Sequence, residues 1–110
     1  MVVPKKGDLI WLNPQARHEQ AGRRPALALT NSMFHSATGL LFACPVTSRV
    51  RGLPFEVPLP PGLSIGGVIL VHHARSVDWR ARQAEVIEAV PEETLFQVLD
   101  ILNAVTEAVE

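Results

Sequence analysis

Residues 7–30 read GDLIWLNPQARHEQAGRRPALALT, with an apolar run at each end and a polar stretch between them. Gly7–Leu12 alternates its side chains between two faces as a strand does, and Ala26–Thr30 is a second apolar run of strand length. Asn13–Arg23 joins them as a long polar loop interrupted by proline and glycine. Two strands that flank a polar loop predict a fold built on a β-sheet, with Arg24 held where the loop meets the second strand.

Runs of strand length continue through the middle of the chain. Five further strands are predicted at Leu40–Pro45, Phe55–Leu59, Gly67–Val71, Arg75–Asp78 and Ala84–Ala89. Asn31–Gly39 is predicted as a plain connection between strands, and Arg49–Pro54 as a basic loop. Three prolines from Pro58 onward cannot donate to a ladder, so the strand at 55–59 is predicted to lie at a sheet edge.

The last segment of the chain has a helical pattern. Pro91 suits the first position of a helix, and Glu92 and Glu93 complement the positive end of the helix dipole. Apolar residues then recur at three- and four-residue steps, at Leu95, Val98, Leu99, Leu102, Val105 and Val109. Many short strands with one closing helix predict an α+β, mainly β domain.

The composition is that of one ordinary globular domain. The chain has 110 residues, 47% of them hydrophobic, which is enough to bury one core and too few for two domains. Its single cysteine, Cys44, excludes an internal disulfide framework and fits a buried side chain in a reducing cytosol. No apolar run approaches the roughly 18 residues of a membrane span, and no apolar signal region is present. One soluble, cytoplasmic domain covering residues 1–110 is expected.

The charges are unevenly distributed along the chain. The net charge is −1, yet residues 1–84 carry ten Lys and Arg against four acids, a local charge of +6. Residues 85–110 carry seven acids and no Lys or Arg, a local charge of −7. Because phosphate recognition depends on the local field, the first 84 residues can present a basic surface to nucleic acid. Acids that solvate the outer face of the terminal helix explain the negative charge of residues 85–110 but not the positive charge of residues 1–84.

Residues with metal-ligating side chains are few and scattered. The histidines are His18, His35, His72 and His73, and together with Cys44 they show no zinc-type spacing. The chain also lacks a glycine-rich phosphate loop and a serine-nucleophile motif. No metal or other cofactor is expected.

Six short motifs occur in order along nearly the whole chain. They are Gly7–Trp11, Glu19–Pro25, Pro45-Val46-Thr47, Gly52–Val57, the strand Gly67–Val71 followed by Arg75–Arg82, and Val90–Leu95. Each motif alone is weak, but in this order and spacing they resemble the MazF/PemK/Kid toxins of bacterial toxin–antitoxin pairs. The resemblance implies a small SH3-like twisted antiparallel sheet or partial barrel with a C-terminal amphipathic helix, in a two-fold dimer.

The resemblance also implies an activity. Members of this family are metal-independent, sequence-specific endoribonucleases of single-stranded mRNA, each inhibited by a cognate antitoxin. RNA can be cut without a metal because its 2′-hydroxyl can attack the adjacent phosphate, leaving a 2′,3′-cyclic phosphate and a 5′-hydroxyl. The enzyme must align that attack, stabilise the anionic phosphorus centre and handle two proton transfers. The expected partners are single-stranded RNA, a MazE-like antitoxin and a second copy of the chain, with no membrane.

Arg24 and Thr47 are the strongest catalytic candidates in this setting. The Arg24 guanidinium offers a planar fork to phosphate oxygens and stays charged at any working pH, which suits charge stabilisation better than base catalysis. Thr47 directly follows Pro45-Val46 at a strand end, where its hydroxyl can point off the sheet to a phosphate oxygen. Without the resemblance, Arg24 would be interpreted as a structural arginine and Thr47 as a turn cap.

His18 and Glu19 are the predicted proton-handling pair. An imidazole with an ordinary pKa of about 6.5 is a suitable acid or base at neutral pH. Kid-type relatives share the His-Glu-Gln order, whereas other relatives have serine in place of His18, which fits a role in RNA contact equally well. Glu19 is predicted either as the base or as the partner that orients Arg24.

A wider set of polar residues is predicted to contact RNA: Arg17, Gln20, Arg23, Ser48, Arg49, Arg51, His72, His73 and Arg75. Arg49 and Arg51 are the best placed of these for RNA binding. Many relatives carry an acid-glutamine pair where this chain has His72-His73, so their base preference does not carry over. The six aromatic residues include no tyrosine, which favours a groove that clamps the backbone over extensive base stacking.

Two other classes of protein share parts of this pattern. A CcdB-like topoisomerase poison would use a related fold and the same antitoxin logic, but it would bind a protein and cut nothing. Arg24 and Thr47 argue against it, because a poison has no need of a phosphate clamp. An SH3-like adaptor would normally show an exposed aromatic groove for peptides, which a chain with few aromatics does not favour.

Overall fold

The computed structural model describes residues 2–14 and 22–110 of the chain. These residues form seven β-strands, two α-helices and one 3₁₀ turn. In chain order they are β1 (Asp8–Leu12), β2 (Arg24–Ala28), α1 (Ser32–Thr38), β3 (Leu40–Thr47), β4 (Glu56–Pro58), β5 (Val68–Leu70), the 3₁₀ turn (Val71–His73), β6 (Arg75–Asp78), β7 (Glu85–Ala89) and α2 (Glu92–Val105).

The seven strands form one antiparallel sheet that does not close on itself. Its order is β4-β5-β3-β2-β1-β7, and β6 pairs with the first half of β3. The eight-residue β3 pairs with β6 through Leu40–Ala43 and with β5 through Val46 and Thr47, while β2 pairs along its other edge. The predicted α+β, mainly β fold with a C-terminal helix is confirmed, and β4 lies at the sheet edge as its prolines require.

The prediction of a plain connection at Asn31–Gly39 is wrong, because this segment contains α1. The Asn31 side chain caps the helix by accepting a hydrogen bond from the backbone N–H of Phe34 at 2.9 Å. Gly39 ends the helix at φ +74°, a left-handed conformation that glycine adopts without strain. The helix buries only His35, so its seven residues show no apolar period that a sequence pattern could reveal.

The two strands nearest the predicted catalytic residues are displaced from their predicted ends. β2 begins at Arg24 rather than at Ala26, since Arg24 and Pro25 already pair with Leu12 and Trp11 of β1. β3 continues to Thr47, which pairs with β5. Arg24 and Thr47 therefore lie within the sheet rather than in the loops beside it.

The C-terminal helix is confirmed, with different ends. Pro91 precedes the first helical residue instead of occupying it, while Glu92 and Glu93 lie in the first turn as predicted. The helix ends at Val105, so Val109 lies beyond it. Within the part of the chain that the structure describes, no helix is long and apolar enough to cross a membrane.

Strand alternation divides the core into two layers, one on each face of the sheet. On one face Leu9, Leu27 and Cys44 pack with Leu95 and Val98 of α2; we call this the α2 layer. Burial raises the pKa of the Cys44 thiol to about 12, so the thiol stays neutral and unreactive at physiological pH. Its predicted role as a buried small side chain is confirmed.

The opposite face carries a second, smaller layer. Ile10, Ala26 and Ala43 project from neighbouring strands and pack with Val77 and with the indole of Trp79, which is 1% exposed. We call this the Trp79 layer. It matters for function because the candidate site lies on the same face of the sheet.

A buried histidine ties three segments together at the edge of the Trp79 layer. His35 is fully buried, and its Nδ1–H donates to the carbonyl of Pro4 at 2.7 Å. Its Nε2 lies 2.7 Å from Oγ1 of Thr30, which also accepts the backbone N–H of Phe42 at 3.1 Å. The indole N–H of Trp79 donates to the His35 carbonyl at 3.0 Å. The imidazole is therefore a structural group with both nitrogens engaged.

Candidate active site

The ends of β2 and β3 lie side by side in the sheet. Their ladder pairs Ala26 with Pro45, and extending the same antiparallel register by two residues brings Arg24 opposite Thr47. Because side chains alternate along a strand, all four of these residues belong to the face that carries the Trp79 layer. The two predicted catalytic residues are thus cross-strand neighbours on one face, although 22 positions separate them in sequence.

Arg24 and Thr47 line a cleft of about 510 Å³ that continues from the Trp79 layer, which we call the main cleft. The 3₁₀ turn after β5 brings His72 and His73 to its wall, and pairing of Arg75 with Ala43 brings in the start of β6. Its polar and charged lining side chains are Arg24, Thr47, His72, His73, Arg75 and Arg82. Among the described residues that line it, none is acidic, so the charge of the main cleft favours an anion.

A second cleft of about 290 Å³, the side cleft, adjoins the main cleft. The two share Thr47, His72 and His73, and the side cleft adds Arg49 and Arg51 from the loop after β3. The side cleft also contains Glu56, the first residue of β4. Both clefts are therefore lined by cationic side chains, and they share Thr47, a distribution of charge that suits a nucleic-acid backbone.

The Thr47 hydroxyl has a defined place within this arrangement. Its Oγ1 accepts the backbone N–H of Arg49 at 3.1 Å. Since a hydroxyl both accepts and donates, this contact leaves the O–H proton of Thr47 for an external acceptor such as a phosphate oxygen. The side chain is half-buried, so the hydroxyl is held in place and still reachable from the cleft.

The backbone beneath Thr47 is packed against Gly67. This glycine has φ +115°, and a Cβ built on it would lie 2.2 Å from the Thr47 carbonyl oxygen, closer than any real contact. No residue with a side chain fits here without moving the end of β3. Gly67, next to the β5 residue that pairs with Thr47, therefore allows the backbone of Thr47 to pack closely against it.

Two of the predicted RNA-contacting residues lie outside both clefts. Arg23 turns to the other face, where its guanidinium carbon lies 5.2 Å from the Trp11 ring centroid and its Nη1 lies 3.0 Å from Oε2 of Glu85. Ser48 is exposed just after β3 and lines neither cleft. Of the candidates in the described ranges, Arg49, Arg51, Arg75 and the two histidines are the ones that the clefts bring together.

Four other predicted site residues lie in the segment 15–21, outside the described residues. They are Arg17, His18, Glu19 and Gln20. The roles assigned to them, proton handling for His18 and Glu19 and RNA contact for Arg17 and Gln20, stay predictions from sequence.

Arg82 is a cleft residue that sequence reasoning missed. It is only 5% exposed, and its Nε donates to the carbonyl of Asn13 at 2.8 Å. The backbone N–H of Asn13 in turn donates to the Arg82 carbonyl at 2.9 Å, so Arg82 fixes the end of β1 against the wall of the main cleft. An arginine in a short turn between strands is normally solvated, and only its place in the motif Arg75–Arg82 pointed to it.

The described ranges contain no group of three or more His, Cys, Asp or Glu side chains arranged to hold a metal ion.

The adjacent rings of His72 and His73 lie edge to face with centroids 4.4 Å apart, and the His72 ring also lies 5.6 Å from that of Phe55. The histidines therefore form an aromatic and hydrogen-bonding surface beside Thr47.

Comparisons with known proteins identify the family of the chain. A family described as PemK-like, MazF-like toxin of type II toxin–antitoxin system matches residues 5–106. The chain is 44% identical over 84 residues to the endoribonuclease toxin MazF of Escherichia coli (strain K12), covering 74% of this chain and 75% of that protein. It is 36% identical over 115 residues to the endoribonuclease PemK of Escherichia coli, covering 94% and 86% respectively.

A similar fold occurs in a solved complex. The structure of MazE–MazF from Deinococcus radiodurans contains a chain that is 46% identical to this one and superposes with a TM-score of 0.87. The match covers 96% of both chains. The similarity thus extends over nearly the whole chain.

Proposed function

The chain belongs to the PemK-like, MazF-like family of toxins from type II toxin–antitoxin systems, and we propose that it cleaves single-stranded RNA at the meeting point of its two clefts. It is an endoribonuclease toxin, as its curated relatives MazF and PemK are.

One observation carries the proposal: the register of β2 and β3, extended by two residues, brings Arg24 opposite Thr47, and both line a cleft whose described lining residues include no acid. A cation and a hydroxyl held on rigid strands can bind the two non-bridging oxygens of one phosphate. Electrostatic groups of this kind act most strongly when the fold holds them in place before the reaction, because no reorganisation is then needed.

The proposed reaction is an attack by the RNA on its own backbone. The 2′-oxygen forms a bond to the adjacent phosphorus as its proton passes to a base, and the bond from phosphorus to the 5′-oxygen breaks as that oxygen takes up a proton. The products are a 2′,3′-cyclic phosphate and a 5′-hydroxyl. Negative charge gathers on the non-bridging oxygens during the attack, where the Arg24 guanidinium and the Thr47 hydroxyl stabilise it.

The other cleft residues bind and orient the RNA in this proposal. Arg49 and Arg51 in the side cleft and Arg75 in the main cleft contact neighbouring phosphates, and each exposed contact makes binding weaker at high salt. His72 and His73 lie between them, where a nucleobase beside the reacting phosphate would meet their rings. The general base is assigned to His18 or Glu19 on sequence grounds alone.

The test is cleavage of a labelled single-stranded RNA by the purified protein in EDTA, followed by analysis of both product ends. We expect cleavage to persist and to leave 2′,3′-cyclic phosphate, or its opened form, and 5′-hydroxyl ends. An absolute requirement for Mg²⁺, or 5′-phosphate products, would rule out the mechanism. No cleavage of any RNA would favour the alternative, a CcdB-like topoisomerase poison, for which the comparisons give no support.

We propose a homodimer as the working form. Leu95 and Val98 are committed to the α2 layer of their own protomer, but α2 also presents Phe96 and Val105 with 52% and 57% of their surface exposed. Exposed apolar side chains on a terminal helix suit burial against a second copy. Light scattering at micromolar concentration should give twice the monomer mass of 12.0 kDa, and a monomer would contradict the assignment.

A MazE-like antitoxin is the proposed inhibitory partner, since the Deinococcus radiodurans relative was solved as a MazE–MazF complex. An acidic, partly disordered tail would compete with RNA for the basic clefts and so block the substrate path. Arg49→Glu and Arg51→Glu should therefore weaken both RNA cleavage and antitoxin binding. A charge reversal that abolished one and left the other unchanged would show that the two ligands use different surfaces.

A further inference from the structure

The loop that carries Arg49 and Arg51 is held at both of its ends. At the start, the backbone N–H of Arg49 donates to the Thr47 hydroxyl oxygen at 3.1 Å. At the far end, the Glu56 carboxylate accepts the backbone N–H of Arg51, at 3.1 and 3.3 Å to its two oxygens, and that of Gly52 at 2.9 Å. A short basic loop is thereby pinned between a candidate catalytic hydroxyl and a carboxylate.

The conformation of the loop creates the site that Glu56 fills. Gly52 has φ +74°, and a Cβ there would meet nothing within 4 Å, so the glycine serves conformation rather than space. With this residue left-handed, the successive N–H groups of Arg51 and Gly52 point at one place, a concavity that binds anions. The negative charge of Glu56 makes it a stronger acceptor there than a neutral side chain would be.

By its charge alone, the Glu56 carboxylate is not expected on a surface that binds RNA. Among the described residues that line the side cleft, Glu56 is the one acid, and it lies with Arg49 and Arg51 where RNA phosphates are expected. A free carboxylate would repel RNA, and its removal would strengthen binding. If the carboxylate instead holds the loop in shape, its removal would weaken binding.

We propose that Glu56 is a positioning residue for the nuclease: by holding the backbone of Arg51 and Gly52, it fixes the loop so that the guanidiniums of Arg49 and Arg51 face the RNA. This inference rests on the proposed RNA path through the side cleft. It assigns Glu56 no contact with substrate and no proton transfer. Its effect passes through the two arginines, and it should change RNA affinity rather than the chemical step.

The structure separates this role from a general role in stability. Glu56 is half-buried at the start of the edge strand β4, and that strand is anchored independently by Val57, which is 3% exposed in the α2 layer. Within the described residues, the carboxylate accepts its hydrogen bonds from the backbone of the loop. Replacing Glu56 by its amide isostere should leave the strand pairing with β5 intact while it weakens the hold on the loop.

The first measurement is binding to a 2′-O-methyl copy of an RNA that the native protein cleaves, which cannot react because the attacking hydroxyl is blocked. Glu56→Gln should bind about fivefold or more weakly than the native protein. The slope of log affinity against log salt is negative, and its magnitude should fall by up to about 1.4. This is the value for the loss of two phosphate contacts to a single strand. Glu93→Gln, the same charge change on exposed α2, serves as the matched control and should bind as the native protein does.

Tighter or unchanged binding by Glu56→Gln would overturn the proposal, because the carboxylate would then act as a simple repulsive charge or not at all. Glu56→Asp keeps the charge but shortens the reach, and it should weaken binding as Glu56→Gln does. Circular dichroism and thermal melting establish that each variant is folded. In cleavage assays KM should rise with kcat unchanged, the signature of lost uniform binding.

A double-mutant cycle tests whether Glu56 acts through the arginines. In a protein that already carries Arg49→Ala and Arg51→Ala, Glu56→Gln should cause no further loss of affinity. A fully additive loss would refute the positioning role. If the double arginine variant bound RNA as tightly as the native protein, the proposed RNA path would fail; if it bound weakly while Glu56→Gln did not, only the present inference would fail.

Discussion

Replacing Arg24 by alanine should lower the rate of cleavage strongly while leaving the fold intact. The structure allows the change in stability and the change in rate to be compared. Arg24 is an exposed side chain at the first residue of β2, and its ladder bonds with β1 come from the backbone, which alanine retains. Removal of an exposed side chain of this kind changes the free energy of unfolding by about 0.5 kcal/mol or less. Loss of one transition-state stabiliser costs about 2.7–4 kcal/mol, or roughly 10²–10³ in kcat.

Two features of the main cleft place the expected loss within that range. Arg75 and Arg82 also line the cleft, so some positive potential survives and activity should not vanish entirely. Neither replaces the guanidinium across from Thr47, because only Arg24 falls opposite it in the register of β2 and β3. Arg24→Lys should restore little, since an ammonium cannot present the planar fork that binds two phosphate oxygens.

The assay is single-turnover cleavage of a labelled RNA, with a thermal melt of each variant. Arg23→Ala is the matched comparison, because it removes the same charge one residue away, on the face that carries Trp11 and Glu85. It should lose far less activity than Arg24→Ala. Near-native activity of Arg24→Ala or Arg24→Lys, or an equal loss in Arg23→Ala, would refute the assignment of Arg24 to the reaction.

Substitutions at Thr47, Gly67 and His35 test three further features of the structure. Thr47→Ala should lower kcat, but less than Arg24→Ala does, and Thr47→Ser should keep most of the native kcat. A loss of less than about threefold in Thr47→Ala would show that Thr47 has no part in the mechanism. Gly67→Ala should lower both activity and melting temperature, because its Cβ would lie 2.2 Å from the Thr47 carbonyl oxygen, and native behaviour in both assays would contradict this packing. His35→Ala should lower the free energy of unfolding by urea by about 2–4 kcal/mol, since it leaves a cavity and removes two hydrogen bonds of a buried ring. His72→Ala, at an exposed histidine, should lower it by under about 0.5 kcal/mol. Equal losses in the two variants would be inconsistent with the buried network of His35.

Strand positions could be predicted from sequence because alternation and proline placement are local signals. The strand at Arg75–Asp78 matches its prediction residue for residue, and the others differ by one or two residues at their ends. The helix at Ser32–Thr38 was missed because one buried side chain in seven residues creates no period. Its two caps, Asn31 and Gly39, were the visible signals.

The presence of Arg24 and Thr47 in one candidate site could be predicted from the sequence, but the shape of that site could not. Arg24 and Thr47 each stand beside a proline-marked strand end, and the family resemblance joined them. Their meeting on one face depends on the register of two strands, which no local pattern specifies. Arg82 was missed for a related reason, since its burial arises from a contact with Asn13 at the other end of the domain sequence.

The most direct test of the account is a structure of the protein bound to the 2′-O-methyl copy of an RNA that it cleaves. We expect the phosphate at the cleavage position to lie between the Arg24 guanidinium and the Thr47 hydroxyl, each within about 3 Å of a non-bridging oxygen. The flanking phosphates should follow the side cleft past Arg49 and Arg51. An RNA bound on the opposite face beside Arg23 and Trp11, or a cleavage-site phosphate out of reach of Arg24, would contradict it.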